Sequence, residues 1–316
     1  MAYTLVYANA NKLHSMQSSF NSRSTAEDVT QGIDLSAITV LLTGSNSGLG
    51  FETMRVLAKH GAHVIAAARD LKTAQQACSR VDGKTTPLAC DLSDLQSVQQ
   101  AIASVIAAGW RVDRVIANAG IMMLPRLEQI QGLEKQFVVN YLGHFMLING
   151  ILGAVPRHAG ARIVIVASRA HQRGPREGIE FENLSGEHGY GAMRAYGQTN
   201  VARILFARAL ARRLSADGIT VNSLHPGVIG STSIARHLNP LLAMGIRLFS
   251  KTIAQGAATQ CYLAANPEVA GVTGQYFSDC RIAQPSRIAQ DDQLGERLWA
   301  VSEQLLARRL AGATRQ

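Results

Sequence analysis

From Ile38 onward the chain alternates short apolar runs with segments of helical period. TVLLTG (39–44) is a wholly apolar run ending in a glycine. GLGFETMRVLAKHG (48–61) then places Met54, Leu57 and Ala58 at helical spacing and stops at Gly61. The same couple recurs. AHVIAAAR (62–69) precedes the helical LKTAQQACSR (71–80). TTPLACDL (85–92) precedes DLQSVQQAIASVIAAG (94–109), for which Ser93 is the expected N-cap. DRVIANAG (113–120) precedes the long helical stretch 133–155, and ARIVIVAS (161–168) precedes a polar, Gly-rich loop over 170–190. Loops of that length in a compact domain usually serve a site. A helix over 192–216, a strand over 218–227, a mixed insertion over 228–252, a helix over 254–265, a strand over 273–279 and an amphipathic helix over 291–310 complete the pattern.

Strands that are apolar throughout and separated by helices belong to a parallel sheet covered on both faces. The pattern predicts an α/β Rossmann-type, doubly wound sheet of about seven strands. Residues 1–34 are polar and without a period, and read as an arm outside the core. Residues 35–290 read as one domain with a substrate lid near 228–252, and 291–316 as a C-terminal helix and tail.

Composition narrows the class. A chain of 316 residues that is 47% hydrophobic and 17% charged, with mean hydropathy +0.05, has a sizeable core rather than a disordered or fibrous character. No run of about 18 uncharged apolar residues occurs, and no secretory signal pattern opens the chain. The net charge of +9 comes largely from single arginines at helical spacing, such as Arg203, Arg208, Arg212 and Arg213. Solvated helix faces explain these better than a nucleic-acid surface, for which no recognition motif is present. Cys78, Cys90, Cys261 and Cys280 show no metal-binding or paired spacing, and fit buried free thiols in a reducing, cytoplasmic setting.

The first strand-to-helix turn reads Thr43-Gly44-Ser45-Asn46-Ser47-Gly48-Leu49-Gly50. Glycines there let backbone approach a pyrophosphate, and the following helix N-terminus offers free N–H groups and a positive dipole end. This spacing resembles the short-chain dehydrogenase/reductase family. So do Asn118-Ala119-Gly120 after the fourth strand, Asp91-Leu92 after the third, Ser168 after the fifth, and Pro226-Gly227 after His225. More narrowly, FVVNYLGHF (137–145), SRAH (168–171), AYGQTNVARILFA (195–207) and the lead-in STAEDVTQGIDLS (24–36) resemble the branch of retinol dehydrogenases and WW-domain oxidoreductases. The likeness covers about residues 24–280. It implies a nicotinamide cofactor on Thr43, Gly44, Ser47, Gly48, Leu49, Gly50, Asp91, Leu92, Asn118, Ala119, Gly120, Pro226 and Gly227. It makes Tyr196 the catalytic acid/base and Ser168 the partner of the substrate oxygen. Asn140 would hold a helix kink and a water. Tyr190, six residues before Tyr196, reads as loop packing.

One position departs from the family pattern. Tyr196-Gly197-Gln198-Thr199-Asn200 carries Asn200 where the family has a lysine. That lysine binds the nicotinamide ribose and lowers the tyrosine pKa. Asn200 can still donate to a hydroxyl but is shorter and neutral. A free tyrosine is ionised only roughly one part in a thousand at pH 7. Losing 2–3 units of depression is worth about 3–4 kcal/mol of tyrosinate stabilisation. Oxidation of an alcohol needs the tyrosinate, whereas reduction of a carbonyl needs the phenol, so reduction is the expected direction. Arg169 beside Ser168 could reach the cleft, while Arg203 is expected to point too far along its helix. His144 and His171 read as structural.

At the end of the second strand, Ala67-Ala68-Arg69 lacks the acidic residue that selects NAD. A guanidinium there can pair with the 2′-phosphate of NADP, with Asp70 as a helix N-cap. The apolar side chains Ile234, Leu238, Leu241, Leu242, Met244, Ile246, Leu248 and Phe249 suggest a hydrophobic ketone or aldehyde as substrate, with membrane association not expected. Two other functions share this scaffold: a non-redox lyase, dehydratase or isomerase using the same acid/base pair, and an impaired NADP-binding sensor or partner protein. The long helices 128–153 and 194–216 are where homodimers of this family often pack.

Overall fold

The structure is a computed structural model that describes residues 18–158, 160–230 and 250–313. Eight strands form one sheet: β1 (Thr39–Thr43), β2 (His63–Ala68), β3 (Thr85–Ala89), β4 (Arg114–Ala117), β7 (Arg162–Val166), β8 (Thr220–His225), β9 (Tyr276–Ser278) and β10 (Arg281–Ala283). The spatial order is β10-β9-β8-β7-β4-β1-β2-β3. All neighbours are parallel except the terminal β9–β10 pair. A two-stranded antiparallel hairpin, β5 (Gln129–Ile130) and β6 (Leu133–Glu134), stands apart. The sheet thus carries one strand more than the pattern predicts. The missed strand, β10, follows a two-residue turn in which Asp279 and Cys280 both have positive φ, +54° and +60°. Asn-Gly or Asp-Gly would mark such a hairpin in a sequence, and here the second residue is a cysteine.

Helices cover both faces. Along β1, Leu41 joins the core on one face while Val40 and Leu42 join the other, because successive strand side chains point to opposite sides. On the Leu41 face pack α4 (Leu95–Ala107), α5 (135–151), α6 (Ala192–Arg213) and α8 (Asp292–Ala313). On the other lie α1 (Ala26–Thr30), α2 (Gly48–Lys59) and α7 (Ile253–Ala265). Helix α3 (Leu71–Cys78) flanks β2 and β3. By length and mean hydropathy (1.4) the segment Lys135–Ala154 would suffice to cross a membrane, but 67% of that window is buried in the fold, as in a core helix.

Three boundaries differ from the sequence expectation. The described part of the presumed arm is not outside the core. Thr25 and Asp28 form a capping box for α1, Ala26 and Val29 are fully buried, and the Asn266 side chain donates to the Val29 carbonyl at 2.9 Å. The N-cap of α4 is Asp94, whose carboxylate accepts the Gln96 N–H at 2.9 Å, rather than Ser93. Helix α8 is not a peripheral tail. Trp299 packs against Phe145 of α5 and Phe206 of α6, with ring centroids 4.9 and 5.7 Å apart. Tyr141 and Ser302 share a buried hydrogen bond of 2.7 Å. Helix α8 thus packs on α5 and α6, the two long helices named above as a homodimer surface. Most of the expected lid, residues 231–249 with the whole apolar series from Ile234 to Phe249, lies outside the described residues.

Candidate active site

The strand order reverses direction between β1 and β4, and ligands of open α/β sheets bind at such a switch point, beyond the strands' C-terminal ends. Here the β1–α2 turn meets the segment after β4. Gly44 has φ +69°, and a Cβ there would lie 2.9 Å from the Ala119 Cα. A Cβ on Gly50 would collide with the Gly44 carbonyl oxygen. Both positions therefore require glycine. Gly48 also has positive φ, with open space beyond it. Ser47, the N-cap of α2, makes no side-chain cap, so the first N–H groups of α2 are left for an anion.

Thr43 ties the two segments together. Its Oγ1 accepts the N–H groups of Asn118 and Ala119, each at 3.0 Å, and lies 2.9 Å from His144 Nε2. The Asn118 amide donates to the Thr43 carbonyl at 2.9 Å. Asp91 holds the turn after β3 by accepting both the N–H and the hydroxyl of Ser93, and Leu92 is buried against Gly143. Pro226 and Gly227 follow β8. Gly227 has φ +99°, and the stem of Lys251 lies across it while the Lys251 ammonium pairs with Asp279 at 2.6 Å. At the end of β2 the Asp70 carboxylate caps α3, accepting from the Thr73 N–H at 2.7 Å and hydroxyl at 2.8 Å, which lowers its pKa. Arg69 beside it is largely exposed.

The catalytic candidates converge through two glycines. Ser168 follows β7, and its Oγ accepts the Ala170 N–H at 3.2 Å as the cap of a short 3₁₀ turn, Arg169–Arg173. A hydroxyl has one donor, so its O–H stays available to a substrate oxygen. Gly174 ends that turn directly against α6, where a Cβ would stand 3.1 Å from the Gln198 nitrogen. Gly197 is equally constrained from the other side, since a Cβ would lie 2.7 Å from the Arg173 carbonyl carbon. Backbone contact at Gly174 and Gly197 thus sets the Ser168 turn beside Tyr196, which is half-buried at the start of α6. Tyr190 donates to the Leu124 carbonyl at 2.7 Å and is loop packing, as read from the sequence.

Asn140 sits in a π-helical turn, Val138–Leu142, inside α5, which is the expected kink. Its side chain clamps Ile121, accepting the N–H at 2.8 Å and donating to the carbonyl at 2.9 Å. The backbone carbonyl of Asn140 faces two further side chains. Arg203 Nε donates to that oxygen at 2.6 Å, and His144 Nδ1 lies 3.0 Å from it. Both lone pairs of the carbonyl are engaged.

Asn200 is fully buried. Its Nδ2 donates to the Tyr196 carbonyl at 2.7 Å, while its Oδ1 is buried without a hydrogen-bond partner. The sequence reading gave Asn200 a donor for a hydroxyl. One of the two Nδ2 hydrogens goes to the helix backbone, and Oδ1 adds a buried, unpartnered acceptor. Arg203 departs further from expectation, because its guanidinium lies inside the site.

Residues 38–241 match the short chain dehydrogenase family. The chain is 40% identical to Short-chain dehydrogenase TIC 32 B, chloroplastic, of Brassica napus, over 96% of this chain and 98% of that one. It is 38% identical to the WW domain-containing oxidoreductase of Homo sapiens, over 92% of this chain and 73% of that one. It is 38% identical to retinol dehydrogenase 14 of Mus musculus, over 84% of each. Among solved structures, a protein of Mycobacterium paratuberculosis superposes with a TM-score of 0.70 and 32% identity, covering 88% of this chain and 96% of that one. The chain belongs to the short-chain dehydrogenase/reductase family, a family of nicotinamide-dependent oxidoreductases. The uncapped α2 N-terminus and the glycines that bring backbone to the switch point fit such a cofactor.

Proposed function

We propose that this chain is an NADP-dependent reductase of hydrophobic ketones or aldehydes, with Tyr196 as proton donor and Ser168 as hydrogen-bond donor to the carbonyl oxygen. The observation that carries the reading is the backbone contact between Gly174 and Gly197, which sets the Ser168 turn against the Tyr196 helix at the mouth of the switch-point crevice. The cofactor, when bound, supplies the hydride. The chain's own part is to hold the carbonyl oxygen between two hydroxyls and to deliver a proton to it from Tyr196.

NADP rather than NAD is supported by the division of labour at residues 69 and 70. The Asp70 carboxylate is engaged in capping α3 and is a poor partner for ribose hydroxyls, whereas the exposed Arg69 guanidinium suits a 2′-phosphate. A hydrophobic substrate is supported by the apolar series from Ile234 to Phe249. Direction follows from the protonated phenol, the form of a tyrosine that dominates at pH 7 and the one that carbonyl reduction uses. Measured at pH 7 under matched driving force, carbonyl reduction is expected to exceed alcohol oxidation, and Tyr196→Phe to lower reduction by at least about a hundredfold. Oxidation outpacing reduction, or a fully active Tyr196→Phe variant, contradicts the reading.

A further inference from the structure

The Arg203 guanidinium is only 4% exposed. Its axial distance from Asn200 misleads, because helix side chains lean toward the N-terminus. A long side chain at 203 therefore returns toward the level of Asn200. Position 203 also lies two turns from Tyr196, on the same helix face. Nε donates to the Asn140 carbonyl at 2.6 Å and Nη2 donates to the Ala119 carbonyl. A Cβ on Gly120 would stand 3.1 and 3.4 Å from Nη2 and Nη1. The cation thus touches the kink residue and the Asn118-Ala119-Gly120 segment together.

Every hydrogen-bond partner named is a neutral carbonyl, and among the described residues no carboxylate pairs with Arg203. The surrounding charges are accounted for elsewhere. Glu180 pairs with Arg194, Asp279 pairs with Lys251, and Glu134 accepts from the Phe137 N–H and the Gln136 amide. Of the histidines, His144 from α5, His171 from the 3₁₀ turn and His225 from β8 are each held toward the neutral form by burial. Arg169 and Arg173 lie on the exposed side of the turn. Burying an unpaired guanidinium is costly, and burial pushes its pKa down. At neutral pH the group stays charged.

We infer that Arg203 is the resident cation of the Tyr196 site, a positioning residue that favours negative charge on the Tyr196 oxygen as its proton leaves, in place of the lysine that Asn200 replaces. The inference rests on the proposed role of Tyr196. The guanidinium holds the Asn140 carbonyl as well, so one side chain both fixes the kink and charges the site.

The test reads phenol ionisation without turnover. Ultraviolet difference titrations of the intact protein against its Tyr196→Phe counterpart isolate the Tyr196 signal. Arg203→Gln, which keeps an amide donor but no charge, is expected to move that midpoint up by about one pH unit, and Arg203→Lys to move it by less than half of that. Adding Asn200→Lys to Arg203→Gln is expected to bring it back. A folded Arg203→Gln protein with unchanged Tm and an unchanged midpoint overturns the inference and leaves Arg203 a purely structural group. If Arg203→Gln does not fold, Asn200→Lys alone decides. With a cation already in place, a second raises kcat/KM for reduction at pH 7 less than threefold, and a larger gain shows that the charge was missing. An active Tyr196→Phe enzyme would sink the proposed reaction while leaving the titration result as it stands.

Discussion

Three imidazoles surround the site, and fixed backbone groups decide the state of each. His144 Nδ1 faces the Asn140 carbonyl, which cannot donate, so Nδ1 carries the proton and Nε2 accepts from Thr43. His171 Nδ1 likewise donates to the Ser168 carbonyl at 2.7 Å, while Nε2 accepts the Ser286 N–H at 3.0 Å. His225 Nδ1 accepts the Arg169 N–H at 3.3 Å. Burial, helped by neighbouring arginines, pulls His144 down to about 3 and His225 down to about 4. Both folded values lie below the 6.5 of the unfolded chain, so the unfolded state takes up protons first as pH falls. Stability present above pH 6.5 is lost on acidification toward those folded values, at about 1.4 kcal/mol per pH unit for each ring. Thermal unfolding should show Tm falling by roughly 5–10 °C between pH 7.5 and pH 5, with a shallower fall for His144→Gln. A Tm flat over that range contradicts the assignment. His144 and His171 were legible in the sequence as structural groups. The reach of Arg203 was not, because residue spacing gives the height of a Cα on the helix axis and not the lean of the side chain above it.

Helix α8 shows how an element can be readable while its place is not. Its amphipathic period is plain in the sequence, but nothing local says which surface it covers. That surface is an aromatic cluster running from Phe137 through Tyr141, Phe145 and Phe206 to Trp299. Arg213 lies over the Trp299 ring at 3.9 Å, and Arg208, Arg212 and Arg213 pair with Asp292 and Glu296. These arginines, read from the sequence as solvated faces, fasten α8 to α6. The two arginine partners hold Glu296 down at about 2, but the group is half exposed, so its contribution to stability is small. Aromatic burial carries the docking. Trp299→Ala is expected to lower stability by about 3 kcal/mol in urea unfolding, and a loss below about 1 kcal/mol would show that α8 is only loosely attached. Helix α1 and strand β10 escaped the sequence pattern for the opposite reason. Five and three residues are too short to display a period, and tertiary pairing decides them.

At the scale of the whole molecule, the chain order of the strands does the organising. Because β1 lies at the centre and the sheet grows first toward β3 and then toward β9, the turns after β1 and β4 meet at one crevice. Residues as distant as Gly44, Arg69, Asn118, Ser168, Tyr196 and Gly227 all follow strands of that sheet or begin a helix packed on it. This much was legible, since apolar runs alternating with helices admit few topologies. Cofactor choice is the claim on which the proposed chemistry depends most. It is tested most directly by fluorescence titration of the purified protein with NADPH and with NADH. The account predicts that NADPH binds at least about tenfold more tightly, and that Arg69→Ala removes most of that difference while leaving NADH binding unchanged, as expected for a guanidinium on a 2′-phosphate. Equal or tighter binding of NADH would contradict the account, and binding of neither would contradict the assignment of the glycine turn itself.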